Sequence, residues 1–281
     1  MFTISQMYNL YEKDKQLLRY SQNTLRGYRI QSNLLIRYFG DINIQEITLD
    51  MIKDYLIAQN HLKASSLGTR IRFLKSFFRY CFEERYIDIN INKCLKEPKV
   101  GSRLPKYLTK KEVIILDEHC IKPIEKSLLN FTYATGCRVG EIELVNKLDI
   151  DWNRRSLNII GKGDKQREVY FNVKTEYWLQ RYLDNRNDDC EALFVTERRP
   201  YRRLSIDMIR IVMKRVAKRT GLNINLYPHR YRHSHSITLY NNGMPIEEIR
   251  DNLGHVNIRT TMGYLCLTGE HRRQEYNKYF R

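Results

Sequence analysis

No C-x-x-C pair occurs in this 281-residue chain, and none of its six cysteines (Cys81, Cys94, Cys120, Cys137, Cys190, Cys266) has histidines at zinc-finger spacing. A disulfide framework or a structural zinc is therefore not expected, and the thiols read as reduced and mostly buried. No apolar run approaches the roughly 20 residues that span a bilayer. The start, Met1-Phe2-Thr3-Ile4-Ser5-Gln6, lacks the basic segment and apolar stretch of a secretory signal. A cytoplasmic protein with no membrane contact is the expectation. Carboxylates do not cluster as a metal-dependent nuclease or transposase would need. Neither a repeat nor a low-complexity tract is visible.

What is present is positive charge. Lys and Arg number 49 against 32 Asp and Glu, a formal net charge of +17. Residues 1–105 hold 17 basic and 10 acidic side chains (net +7), and residues 106–281 hold 32 and 22 (net +10). A basic tail on a neutral domain would look different. The length suits two domains, and both being basic suggests that both touch a polyanion, most simply nucleic acid. Charge alone also fits a basic protein with no such ligand.

The first third reads as helices only. Ser21 precedes a periodic segment from Thr24 to Phe39 that Gly40 stops. Thr48 caps a short helix over 49–59. A longer helix, 65–84, places Leu67, Ile71, Leu74, Phe78 and Cys81 in one buried stripe. Arg70, Arg72, Lys75 and Arg79 lie largely off that stripe, either as a solvated face or on phosphates. Residues 86–107 hold no convincing helix, with Pro98, Gly101 and Pro105 among Lys93, Lys96, Lys99, Arg103 and Lys106. This is a basic linker suited to run along a DNA backbone. The spacing thus predicts domains at 1–90 and 108–281 joined by a linker at 91–107.

The second domain opens at Thr109 with Glu112 three residues on, a capping box. Helices follow around 109–118 and 124–135. The one good strand signal is a hairpin, Ser156 to Ile160 returning through Val169 and Phe171 after Gly161-Lys162-Gly163-Asp164. Ser205 caps a helix that Gly221 follows, and Pro245 and Gly254 bracket another.

Phosphoryl transfer without a metal needs an in-line nucleophile, fixed cations around the non-bridging oxygens, and an acid for the departing oxygen. Arginine suits the second task because its fork binds phosphate bidentately and keeps its charge. Thr135-Gly136-Cys137-Arg138-Val139-Gly140-Glu141, Gly161-Lys162-Gly163, His229-Arg230-Tyr231-Arg232-His233, and Leu253-Gly254-His255 followed nine residues on by Tyr264 together resemble the tyrosine recombinases, or phage integrase family. Each motif alone is weak; five in order are specific. Cys137, Gly140 and Leu265-Cys266 depart from the commoner pattern without removing a reacting group.

The resemblance implies a mainly α fold: an N-terminal four-helix, SAM-like core-binding domain, then an α+β catalytic domain with a small antiparallel sheet. It implies that Arg138 and Arg232 grip the scissile phosphate, that Lys162 acts as general acid, and that His229 assists proton transfer from Tyr264. His255 adds a phosphate contact. Tyr264 is the nucleophile, leaving a 3′-phosphotyrosyl link that stores the bond energy, so no cofactor is implied. Glu141 would orient its neighbours. The implied partner is double-stranded DNA with paired core sites, bound by a homotetramer, a dimer per site, with a related recombinase or accessory proteins as further options. A tail over 269–281, with Tyr276, Tyr279 and Phe280, would contact a neighbouring protomer. With no room for an arm-binding domain, the Xer-like or transposon- or plasmid-borne resolvase type is expected.

Each residue has a plainer reading. Lys165 lies close to Lys162, and His229, His233 and His235 crowd together as in a metal site, although no carboxylate or thiolate completes a set. As whole-protein alternatives, a type IB topoisomerase would share the tyrosine chemistry, and a non-catalytic DNA-binding protein would share the charge.

Overall fold

A computed structural model describes residues 1–99, 101, 106–161, 166–254, 276–277 and 280. The chain divides into two compact units, Met1–Ser102 and Arg103–Arg281.

The first unit is helical throughout its described residues: α1 (Ile4–Leu17), α2 (Gln22–Phe39), α3 (Leu49–Ile57), α4 (Ala64–Glu83) and the short α5 (Ile91–Cys94). Three of these start where a hydroxyl satisfies a free backbone amide. Thr3 and Gln6 form a capping box at α1, Ser21 accepts from Thr24 N–H, and Thr48 accepts from Met51 N–H. Ile4, Met7, Tyr8 and Tyr11 put one apolar face of α1 into the core. There the α4 rings Phe73 and Phe77 stack at 5.6 Å, and Tyr11 donates to Ser76 Oγ at 2.7 Å. Two of these elements are additions to the sequence reading: α1, and α5 within the segment read as free of helix.

The second unit begins with α6 (Lys110–Glu118), α7 (Pro123–Thr135) and α8 (Val139–Leu144). The Thr109–Glu112 capping box is present. A three-stranded antiparallel sheet follows in the order β1 (Ile150–Asp151), β2 (Ser156–Ile160), β3 (Gln166–Tyr170), with Leu157 opposite Val169 and Ile159 opposite Arg167. The rest is α9 (Val173–Asp184), α10 (Ile206–Arg219), α11 (Pro228–Asn241) and α12 (Ile246–Leu253). Helix α7 is the central post, packing on α9, α10 and α11. Its Leu128 and Phe131 share one core with Val169, Leu179, Leu193, Ile209, Met213 and Tyr231. No helix among the described residues is long and apolar enough to cross a membrane.

Helix α11 is unusual because its buried face is polar: Arg230, Arg232, Ser234, His235 and Ser236 are all buried. Such a face persists only if its groups are satisfied. Ser234 and Ser236 donate to the carbonyls four residues back, Arg230 and Arg232, and Ser234 Oγ also accepts from Leu108 N–H at 2.7 Å.

One expected DNA-contacting residue is corrected here. Arg70 is buried, not surface-bound: its Nη1 donates to Gln59 Oε1 at 2.6 Å, its Nε donates to Gln31 Oε1, and its guanidinium lies 5.5 Å from the Tyr55 ring centre. The buried face of α4 is wider than the stripe read from Leu67 to Cys81, because Phe73 and Phe77 extend it. Arg72 is exposed and paired with Glu97 at 2.6 Å, Arg79 is exposed, and Lys75 is half-buried.

Candidate active site

Two left-handed glycines build the frame of the site. Gly136 caps α7 at φ +61°, and Gly254 caps α12 at φ +61°. This conformation strains any residue with a Cβ and is a common way to end a helix. At Gly136 a methyl group would also sit 2.5 Å from His235 Cδ2. Each turn leaves carbonyl oxygens without a helical partner.

Arg232 uses those oxygens. It is 1% exposed, its Nη1 donates to Gly136 O at 2.7 Å, and its Nη2 donates to Leu253 O. Arg138 stands just after the Gly136 turn and donates from Nη2 to Gly254 O at 3.1 Å. Adjacent carbonyls on one helix end thus hold the two arginines together. Both acceptors of Arg232 sit at helix C-termini, whose dipoles favour a cation without cancelling its charge.

His229 lies one turn before Arg232 on α11. Burial first, then the charges of Arg232 and Arg138, push its pKa down, which favours the neutral imidazole that accepts a proton. His233, 6.3 Å from the His229 ring, is pushed down to about 4, chiefly by burial. His235 Nδ1 meets Tyr133 O at 2.8 Å, and burial takes its pKa to about 4. The described residues contain no group of His, Cys, Asp and Glu able to hold a metal.

Glu141 sits at the first turn of α8, 7% exposed. It accepts from Arg138 N–H at 2.7 Å and Arg138 Nη1 at 2.8 Å. It also accepts both Nη groups of Arg167, at 2.9 and 2.7 Å. Burial alone would raise its carboxyl; the hydrogen bonds and charge of Arg167, with those of Arg138, outweigh that and hold it below the usual range.

Arg138, His229 and Arg232 are therefore brought together. Lys162, His255, Tyr264 and Arg103, and most of the tail at 269–281 including Tyr279, lie outside the described residues. Of the tail, Tyr276 and Phe280 are exposed, with ring centres 5.0 Å apart. Arg167 was not singled out from sequence. It stands across from Ile159 on the hairpin, and its two-residue spacing from the inward-facing Val169 on the return strand was the one signal in the sequence.

Two fixed guanidinium groups beside a neutral imidazole define a site for an oxyanion such as a phosphodiester. The chain belongs to the phage integrase family: that family's description fits residues 106–271, and the phage integrase N-terminal SAM-like domain fits residues 11–85. Among its relatives, tyrosine recombinase XerC of Oceanobacillus iheyensis is 28% identical over 276 residues, spanning 92% of this chain and 90% of its own. Tyrosine recombinase XerD of Neisseria meningitidis serogroup B is 30% identical over 264 residues, 88% of each chain. The fold matches that of a lambda integrase tetramer bound to a Holliday junction, with TM-score 0.76 and 20% identity over 92% of this chain and 78% of that one.

Proposed function

We infer that this chain is a site-specific DNA recombinase that breaks and rejoins strands through a 3′-phosphotyrosyl link to Tyr264. The observation that carries this reading is the pairing of Arg138 and Arg232 on the adjacent carbonyls of Gly254 and Leu253, with His229 beside them. The pairing stands at the end of the helix from which His255 and, nine residues further, Tyr264 follow. In this reading the two arginines bind the non-bridging oxygens and stabilise the charge that builds up at phosphorus. His229 takes the phenol proton, and His255 adds a contact to phosphate. The phenolate oxygen bonds to phosphorus, the 5′ oxygen leaves, and Lys162 protonates it. Rejoining reverses each step, and the covalent link conserves the bond energy.

DNA is the partner, and oligomers form on it. The finer reading is a homotetramer on paired core sites, a dimer per site. The lambda integrase tetramer of similar fold supports it. Residues 1–90 would hold the core site, the basic linker at 91–107 would follow the backbone through Arg103, and the tail would bind a neighbouring protomer. A match to both the catalytic and the SAM-like regions favours recombination over the topoisomerase and non-catalytic readings.

The test uses a library of nicked duplexes of random sequence. After cleavage, loss of the short strand beyond the nick prevents religation. Wild-type protein should form a protein–DNA adduct stable to denaturant and EDTA, and its recovered DNA identifies the site. Tyr264→Phe should bind that site and form no adduct. Normal adduct from the phenylalanine variant would overturn the assignment.

A further inference from the structure

A carboxylate bonded to a phosphate-binding arginine is an electrostatic problem. Glu141 contacts Arg138 at 2.8 Å, and a pair of opposite charges that close offers an approaching phosphate little net attraction. The structure supplies a second cation. Arg167 reaches from β3 and clasps Glu141 with both Nη groups, and its side chain is only 10% exposed. The three groups together carry two positive charges and one negative.

Arg167 also reaches the other side of the site. Its Nε donates to Asn252 O at 2.9 Å, in the last turn of α12. Its Cδ lies 3.1 Å from where a Cβ on Gly254 would be. The carbonyl of that glycine receives Arg138 Nη2, and the carbonyl before it receives Arg232 Nη2. One side chain therefore ties the hairpin, the start of α8 and the end of α12 together.

We propose that Arg167 is a positioning residue that neutralises Glu141 and braces the end of α12, so that Arg138 keeps both its orientation and a net positive charge for the scissile phosphate. The proposal rests on the recombinase reading above. Two properties set it apart from a plain structural ion pair. The cost of losing Arg167 falls on cleavage rather than DNA binding, and removing the charge of Glu141 relieves it.

The experiment measures single-turnover adduct formation on the nicked duplex recovered by the wild-type protein. Wild type, Arg167→Ala, Glu141→Gln and the double variant are compared, with duplex Kd and thermal melting for each. Arg167→Ala should slow cleavage about a hundredfold, the size of effect seen when one electrostatic contact to a transition state is lost. Its Kd should change by no more than about threefold, because the Arg167 side chain is only 10% exposed and its donors are already engaged within the protein. Adding Glu141→Gln to Arg167→Ala should recover about tenfold, since glutamine keeps an acceptor for the Arg138 amide but no charge.

Cleavage by Arg167→Ala within about threefold of wild type, or a double variant no faster than Arg167→Ala, overturns the proposal. If Arg167→Ala does not melt cooperatively, Arg167→Gln, which retains a donor toward Glu141, enters the same comparison with the same outcomes. A wild-type protein that forms no adduct overturns the recombinase reading itself. A wild type that cleaves while all variants match it overturns only the role of Arg167.

Discussion

Arg70 and Arg232 are both buried, one in each unit, and they are satisfied in different ways. Arg70 spends its donors on two flexible side-chain amides and lies against a tyrosine ring within an aromatic core. Arg232 donates to two backbone carbonyls at the ends of α7 and α12, beside a second arginine and a histidine with a lowered pKa. The first arrangement packs a core. The second fixes a guanidinium on the backbone at two helix ends, next to a second arginine. Burial of an arginine thus carries no functional meaning until its acceptors are known.

The largest effect expected from this contrast is on Arg232. Arg232→Lys should slow adduct formation about 10²- to 10³-fold with duplex affinity nearly kept, because a point charge cannot span two carbonyls and a phosphate. Arg70→Lys should instead lower the melting temperature and leave cleavage of bound DNA unchanged. Equal losses of cleavage in both variants would erase the distinction. Next in size is Gly136→Ala, where a positive φ and a 2.5 Å approach to His235 act together. Urea unfolding should show a loss of about 2–3 kcal/mol. Gly221→Ala, at φ +66° in open space, should lose only about 1 kcal/mol.

Acid should also separate the units. His233 and His235 have pKa values near 4 when folded, against about 6.5 unfolded, so the unfolded chain binds more protons between those values. Stability is therefore full above about pH 6.5 and falls as pH drops toward 4, by roughly 1–3 kcal/mol for the buried His235 ring and by less for the half-buried His233. Residues 1–102 contain one histidine, His61. Hydrogen exchange at pH 7 and pH 5 should show the C-terminal unit loosening first, and His235→Asn should reduce the difference. Equal loosening of both units would remove the histidines as its cause. The smallest effect is expected at Arg79, exposed on α4. Arg79→Ala should weaken DNA binding modestly on every sequence and lower the salt slope by about 1. An unchanged slope would place this residue away from phosphate.

Much of the framework was legible because caps and turns are local. Thr48, Ser205 and the Thr109–Glu112 pair announce helix starts by offering side-chain acceptors to free amides within three residues. The hairpin strands were readable from alternation, and the site arginines and His229 from the order of short motifs. Helix α1 was equally available in Thr3, Gln6 and the run Ile4, Met7, Tyr8, Tyr11, but its apolar face gains meaning only against α4. The burial of Arg70 was hidden because Gln31 and Gln59, its acceptors, come from positions 39 and 11 residues away.

By itself, then, the sequence determined where most helices begin and end and which residue types could meet a phosphodiester, since those depend on near neighbours and composition. Tertiary structure alone decided which cations are already engaged. Glu141 meets Arg167 across 26 residues, and Arg232 meets Gly136 across 96, distances over which no periodicity in the chain carries information. The charge left for a phosphate is the difference between such pairings, and only the folded chain makes them.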